Sequence, residues 1–179
     1  MNESHITRYD VMPIPPVDEQ TLWFDAGVLR IGVEYRLLND AIAAASALEA
    51  ATGDSKGVAG VEDRGVSIHV FGSAGGESLE LLRFDCFEED PHYHYISWHD
   101  KKNEMVHLDP IADGDPLAWT LERLRLRLPH MLERAGAPGV AEQVDQRAVD
   151  AVLPRLAEAA YRARYEHDDD TLLKGALRD

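Results

Sequence analysis

Apolar and polar residues alternate along much of the first hundred positions, which is the pattern of β-strands with one buried face. The first such segment, LWFDAGVLRIGVEYRLL at residues 22–38, has its apolar side from Leu29 to Tyr35. We expect one long strand here. An Ala-rich helix should follow, because Asn39 suits a helix N-cap and DAIAAASALEAA has strong helix propensity before Gly53.

Four shorter apolar segments follow the Ala-rich stretch. They are GVSIHVF, SLELLRFDCF, HYHYISW and EMVHL, and short polar or glycine-rich turns separate them. Parallel neighbours would need crossover connections of a dozen residues or more, so these segments predict an antiparallel meander.

The C-terminal third has helical periodicity. Asp115 and Pro116 form an N-cap and first-turn pair, and leucines then recur every three or four residues. Pro129 should kink or divide this helix, because proline removes a backbone hydrogen bond. A second helical stretch is expected over residues 140–165, interrupted at Pro154 in the same way.

Together these elements predict an α+β fold, with a mostly antiparallel sheet of four to six strands covered on one face by the C-terminal helices. We expect a single domain over residues 21–166 and an acidic tail over residues 167–179. Residues 1–20 should form a proline-rich arm that lies along the domain, because Ile14 and its apolar neighbours offer surface to bury.

Composition narrows the classes of partner. The 179-residue chain has 18 Lys and Arg against 33 Asp and Glu, a net charge of −15, so we expect neither nucleic acid nor anionic membrane as a partner. The single cysteine, Cys86, excludes an intramolecular disulfide. Without a membrane-length apolar stretch or an apolar signal segment, the sequence favours a cytoplasmic protein.

Candidate chemistry is concentrated in residues 83–110. His92 and His94 lie two positions apart on a predicted strand, and therefore on one face. His107, Asp85 and Asp109 are nearby in sequence. Imidazole and carboxylate groups together suit zinc, iron or manganese, so these five residues are candidate ligands of a divalent metal.

Strand register decides whether the five candidates meet. In the turn before His92, a four-residue loop would place Asp85 opposite His94. If Pro91 instead belongs to the strand, Phe84 would lie opposite His94 and Cys86 opposite His92. In the turn after the HYHYISW strand, a four-residue loop would place His107 opposite His94 and Asp109 opposite His92. A five-residue loop would place Val106 and Leu108 there instead. Only one of the four combinations gathers all five residues.

Two interpretations without metal compete for the same residues. Histidine and tyrosine pack well on a half-exposed sheet, so the cluster can be ordinary structure. Alternatively, Asp85 could orient His94 as a general base. Cys86 falls on the apolar side of its strand and is predicted to be core rather than a nucleophile.

Two charged runs are predicted to be solvated surface. The arginines of ERLRLRLP (Arg123, Arg125 and Arg127) point in different directions around a helix. The acidic run at residues 168–170 lacks the spaced ligands of a calcium loop.

Two segments, RFDCFEEDPHYHY and DPLAWTLERLRLRLPHMLERAG, together resemble an uncharacterised family of small bacterial proteins, a domain of unknown function. The resemblance covers roughly residues 28–160. It implies a strand-rich first half and a helical second half, and it supplies no catalytic residues because no activity is assigned to that family.

Two functional hypotheses follow. We expect a non-enzymatic, soluble, acidic binding or interaction domain that self-associates through apolar residues near its termini. The alternative is a divalent-metal protein, a metal-dependent hydrolase or oxygenase, that uses the cluster of His92, His94 and His107 with Asp85 or Asp109.

Overall fold

A seven-stranded antiparallel sheet forms the centre of the fold, in the strand order β1-β7-β6-β5-β4-β3-β2. The structure is a computed structural model that describes residues 6–9, 11–38, 63–73 and 75–167. The strands are β1 (Ile6–Tyr9), β2 (Leu22–Ala26), β3 (Leu29–Leu38), β4 (Asp63–Gly72), β5 (Leu79–Phe87), β6 (His92–Ser97) and β7 (Lys102–His107). The predicted meander is confirmed as β4 to β7, and the α+β class holds with seven strands.

Strands β2 and β3 occupy the segment predicted to be one long strand, so that prediction is wrong. Gly27 has a φ of +65°, and the two-residue turn at 27–28 folds the segment into a hairpin with Ala26 paired to Leu29. Glycine at the first position of a two-residue turn suits the positive φ that tight hairpins need. The Ala-rich segment after β3 lies outside the described residues.

Four helices follow the sheet in the described part of the chain: α1 (Pro116–Leu126), α2 (Leu128–Arg134), α3 (Pro138–Ala141) and α4 (Gln146–Tyr165). The Asp115 carboxylate accepts a hydrogen bond from the Ala118 amide at 3.1 Å, which confirms the predicted N-cap. The chain leaves helical geometry at Arg127, just before Pro129, so the predicted division is also confirmed.

Pro154 does not interrupt α4, contrary to the sequence-based expectation. The helix continues through it for the full twenty residues. The proline has no amide hydrogen to donate to the Asp150 carbonyl, four residues earlier in the helix. Asp150 and Pro154 are both exposed, so water can donate a hydrogen bond to that carbonyl instead.

One face of the sheet is apolar and carries the helices. Leu29, Ile31 and Val33 on β3 join the core with side chains from β4 and β5. Helix α4 contacts β2, β3 and β4, whereas α1 contacts β5 and α2 contacts β5 and β6. No helix in the described part of the chain is both long and apolar enough to span a membrane.

The opposite face, which we call the polar face, is lined by buried polar and charged side chains beneath residues 11–17 of the arm. The Val11 carbonyl accepts a hydrogen bond from the Asn103 amide at 3.1 Å. The Ile14 carbonyl accepts from Arg83 at 2.5 Å and from Arg36 at 3.5 Å. The arm therefore joins β1 at one edge of the sheet to β2 at the other by crossing over this face.

Replacing Pro154 should stabilise the protein. A proline inside a helix costs about 3 kcal/mol relative to alanine, less where the freed carbonyl is hydrated. We therefore expect Pro154→Ala to raise the free energy of unfolding by about 1–3 kcal/mol in urea titrations. Pro138→Ala, in the first turn of α3 where no amide hydrogen is needed, is the control and should bring no comparable gain. A Pro154→Ala variant no more stable than the native chain would contradict this explanation.

Candidate metal centre

Three of the five candidate ligands meet on the polar face. The ladder between β5 and β6 pairs Asp85 with His92 and Arg83 with His94, so these side chains project from the same side of the sheet. This register matches neither alternative considered from the sequence. It is shifted by two residues from the four-residue loop, a shift that preserves the face on which Asp85 lies.

The shift arises because β5 extends beyond the end of β6. Cys86 still pairs with Val66 on β4, but the β5–β6 ladder ends at Asp85. The Asp63 carboxylate then holds the connecting loop by accepting hydrogen bonds from the Glu89 and Asp90 amides, at 3.1 and 2.9 Å. The loop is consequently longer than the sequence suggested.

Asp85 is the centre of the cluster. Its Oδ2 atom lies 3.3 Å from His92 Nε2 and 3.3 Å from His94 Nε2. Its other oxygen accepts a short hydrogen bond from the Ser67 hydroxyl. The three side chains are only 5–9% exposed. Within the described ranges, this is the one group of three or more metal-ligating side chains whose ligand atoms all lie within 4.8 Å of one another.

The Nδ1 atom of each imidazole has a hydrogen-bond acceptor. His92 Nδ1 donates to the Asp90 backbone carbonyl at 2.7 Å. His94 Nδ1 lies 2.7 Å from Asn103 Oδ1. The amide nitrogen of Asn103 donates to the Val11 carbonyl of the arm, which fixes the orientation of the amide and makes its oxygen the acceptor for His94.

This hydrogen bonding leaves an Nε2 lone pair on each neutral ring, and both are turned toward a carboxylate oxygen. Three acceptors that converge in a buried space need a cation between them, either a proton or a metal ion. Burial disfavours an added proton on either ring. At His92 the hydrogen bond to Asp85 outweighs burial and raises the pKa, whereas at His94 burial prevails and lowers it. Burial also opposes ionisation of Asp85, yet the hydrogen bonds that His92 and His94 donate to it whenever Nε2 is protonated hold the Asp85 pKa well below its usual value.

His107 and Asp109 stand apart from this cluster. His107 pairs with His92 across the ladder and lies on the polar face, but its Nδ1 contacts Asp90 Oδ1 at 2.8 Å and the two imidazole centroids are 6.1 Å apart. Asp109 lies beyond the end of β7 and accepts hydrogen bonds from the amides at 111 and 112.

Neither alternative considered for the turn after His94 is observed, so His107 does not pair with His94 and Asp109 does not pair with His92. The turn occupies residues 98–101, one position earlier than expected, so the ladder places Met105 opposite His94.

A second buried cluster on the polar face escaped the sequence analysis. His69 has no solvent exposure, and its ring lies between Glu80 Oε1 at 2.7 Å and Glu34 Oε2 at 3.0 Å. Arg83 makes a bidentate pair with Glu80, and Arg36 lies 3.5 Å from Glu34. These five residues form a charged row across β3, β4 and β5.

The sequence did contain a signal for this row. Charged residues alternate with apolar ones in β3, and in β5 they do so apart from the adjacent Leu81 and Leu82. An arm expected to lie along the domain needs a surface to cover. The two observations together point to a polar face that is buried rather than solvated.

Glu80 should make the folded state sensitive to acid. Burial opposes ionisation of Glu80, but the charge of Arg83 and the hydrogen bond with His69 outweigh it and lower the pKa from 4.5 to about 2. The stabilisation is therefore complete above pH 4.5 and is lost as the pH falls toward 2. In Glu80→Gln, we expect the loss of unfolding free energy over this pH range to be smaller by about 3 kcal/mol.

Urea titrations at a series of pH values measure this difference. At pH 7 the Glu80→Gln variant should also be less stable than the native chain, because Arg83 and His69 lose a charged partner. Glu122→Gln is the matched control, since Glu122 is exposed and pairs with Arg123 at the surface. An acid transition as steep in Glu80→Gln as in the native chain would contradict the assigned role of Glu80.

Comparison with known proteins gives the family of the chain. Nothing among the curated proteins or the solved structures matches it. The model of the family DUF7700, a domain of unknown function, matches residues 23–160, which span the sheet from β2 onward and nearly all of the helical layer. The chain therefore belongs to the DUF7700 family.

Proposed function

We propose that the protein binds one divalent transition metal ion, zinc, iron or manganese, through Asp85, His92 and His94. The observation that supports this most strongly is the convergence of two imidazole Nε2 atoms on one carboxylate oxygen, each at 3.3 Å. Hydrogen bonds from metal-binding histidines to carbonyl or carboxylate groups are the usual means of orienting such ligands. His92 and His94 have such partners in Asp90 and Asn103.

The spacing of the ligand atoms suits the size of a transition metal. Two ligands at about 2.0–2.1 Å from a tetrahedral zinc ion lie roughly 3.3–3.4 Å from each other. Asp85 Oδ2 stands at this distance from both histidine nitrogens. Calcium and magnesium, by contrast, prefer sites built from oxygen ligands, so a set with two imidazoles favours zinc, iron or manganese.

Three protein ligands leave a coordination position for water or substrate, as in metal sites that perform chemistry. Two histidines and one carboxylate are also the ligand set of many non-haem iron oxygenases. A metal bound here would supply Lewis acidity and an activated water molecule. Ser67 would hold the free oxygen of Asp85, and Asn103 would keep His94 in the tautomer that binds metal.

Metal analysis of purified, untagged protein tests the proposal. Native protein should carry, or take up on dialysis against zinc, iron or manganese, about one metal ion per chain. His94→Ala and Asp85→Asn should lose it, because each removes a ligand. His99→Ala and Asp109→Ala should retain it, because neither residue lies in the cluster. Thermal unfolding of each variant shows whether it is folded.

A further variant separates the metal site from ordinary packing. Asn103→Ala leaves all three ligands in place but removes the acceptor that orients His94, so metal affinity should fall by about 10–100-fold. Native protein that neither contains nor takes up metal would overturn the proposal. The self-associating interaction domain expected from the sequence would then be the hypothesis to pursue.

A further inference from the structure

The arginine-rich segment of α1 and α2 borders an aromatic groove on the other side of β6. Tyr93 and Tyr95 alternate with the histidines and therefore lie on the helix-bearing face. Trp119 of α1 completes the floor, with ring centroids 5.2 Å from Tyr93, while Tyr93 and Tyr95 are 5.4 Å apart. All three side chains are half-buried, and the groove has a volume of about 300 Å³.

Basic side chains surround this floor. The guanidinium carbon of Arg123 lies 4.8 Å from the centre of the Trp119 ring, and that of Arg134 lies 4.7 Å from the centre of the Tyr95 ring. Arg127 and His130 line the same groove from the segment that joins α1 to α2 and from α2 itself. The arginines of this segment are therefore more than a solvated helix surface, because Arg123 stacks on Trp119 and Arg127 lines the groove.

The charges around the groove are unevenly balanced. Glu104 pairs with Arg134 at 2.5 Å, and Glu122 pairs with Arg123 at 3.3 Å. Among the described side chains, no carboxylate pairs with Arg127 or His130, and both are exposed. In a chain with a net charge of −15, this leaves a local positive site beside an aromatic surface.

We propose that this groove binds a small ligand in which a planar ring carries a phosphate or carboxylate group. The ring would stack on Tyr93 and on the guanidinium planes of Arg123 and Arg134, as aromatic rings and arginine planes do for nucleobases. Arg127 and His130 would bind the anionic group through charge-assisted hydrogen bonds.

The dimensions and charge favour a small ligand over a polymer. A volume of about 300 Å³ lies at the lower end of the range for small-molecule sites, about 300–1,000 Å³. A nucleic-acid strand would extend beyond the groove, and the net charge of −15 on the chain would repel its phosphates. This inference is independent of the metal site, because the groove lies on the opposite face of the sheet.

Calorimetric titration with adenosine 5′-monophosphate and with indole-3-carboxylate tests the proposal, with adenosine and inorganic phosphate as partial ligands. At least one of the two complete ligands should bind with a Kd below about 1 mM, and at least tenfold more tightly than either partial ligand. Binding of the nucleotide alone identifies a purine phosphate as the preferred class of ligand, and binding of the indole alone identifies an indole carboxylate.

Two charge-reversal variants on neighbouring positions provide the matched comparison. Arg127→Glu should weaken binding at least tenfold, because it reverses the charge that faces the anion. Arg125→Glu changes the net charge equally but lies in a different groove, between α1 and α4, and should change Kd less than about twofold. The proposal is overturned if neither complete ligand binds, or if Arg125→Glu weakens binding as much as Arg127→Glu.

Discussion

Buried charge requires a partner, and this requirement organises the polar face of the sheet. His69 is fully buried and the carboxylates beside it are only 2–3% exposed, so each charged group must be paired with another. The row from Arg36 through Glu34, His69 and Glu80 to Arg83 meets the requirement by alternating acidic and basic groups. The Nη2 atom of each arginine also donates to the Ile14 carbonyl in the arm. Removing the arm would therefore expose the row and leave these donors without that acceptor.

The composition of the arm suits its place on this face. Pro13, Pro15 and Pro16 have no amide hydrogen, so these three positions add no donors that would need acceptors on this face. Its carbonyls do more than cover the sheet. The Val11 carbonyl fixes the Asn103 amide, which in turn fixes His94, so the arm helps to determine which nitrogen of that imidazole carries the proton.

Local sequence signals were sufficient for features that depend on neighbouring residues. The meander of β4 to β7, the Asp115 cap and the helix division before Pro129 follow from periodicity, capping and proline geometry. The hairpin at Gly27 was missed because one glycine within a good alternation does not reveal whether the chain continues or turns. Pro154 was misjudged because the consequence of a helical proline depends on whether the freed carbonyl reaches water.

Strand register could not be predicted from neighbouring residues, because it depends on contacts between segments that are distant in the sequence. The position of Asp85 relative to His92 depends on how far β5 extends along β4 and on the loop that Asp63 caps from a distant strand. Alternation within β6 nevertheless predicted the two faces of the strand. The histidines lie on the polar face and the tyrosines on the helix-bearing face, so one short strand contributes to two candidate sites.

The most direct test of the account is the protonation of the imidazole nitrogens, measured by long-range ¹⁵N–¹H correlation spectroscopy on histidine-labelled protein. The account predicts that His94 in the metal-free protein carries its proton on Nδ1 and has a bare Nε2. On addition of zinc, the Nε2 resonances of His92 and His94 should shift together while both Nδ1 atoms stay protonated. A His94 ring with its proton on Nε2 and a bare Nδ1, or Nε2 resonances that do not respond to zinc, would contradict the account.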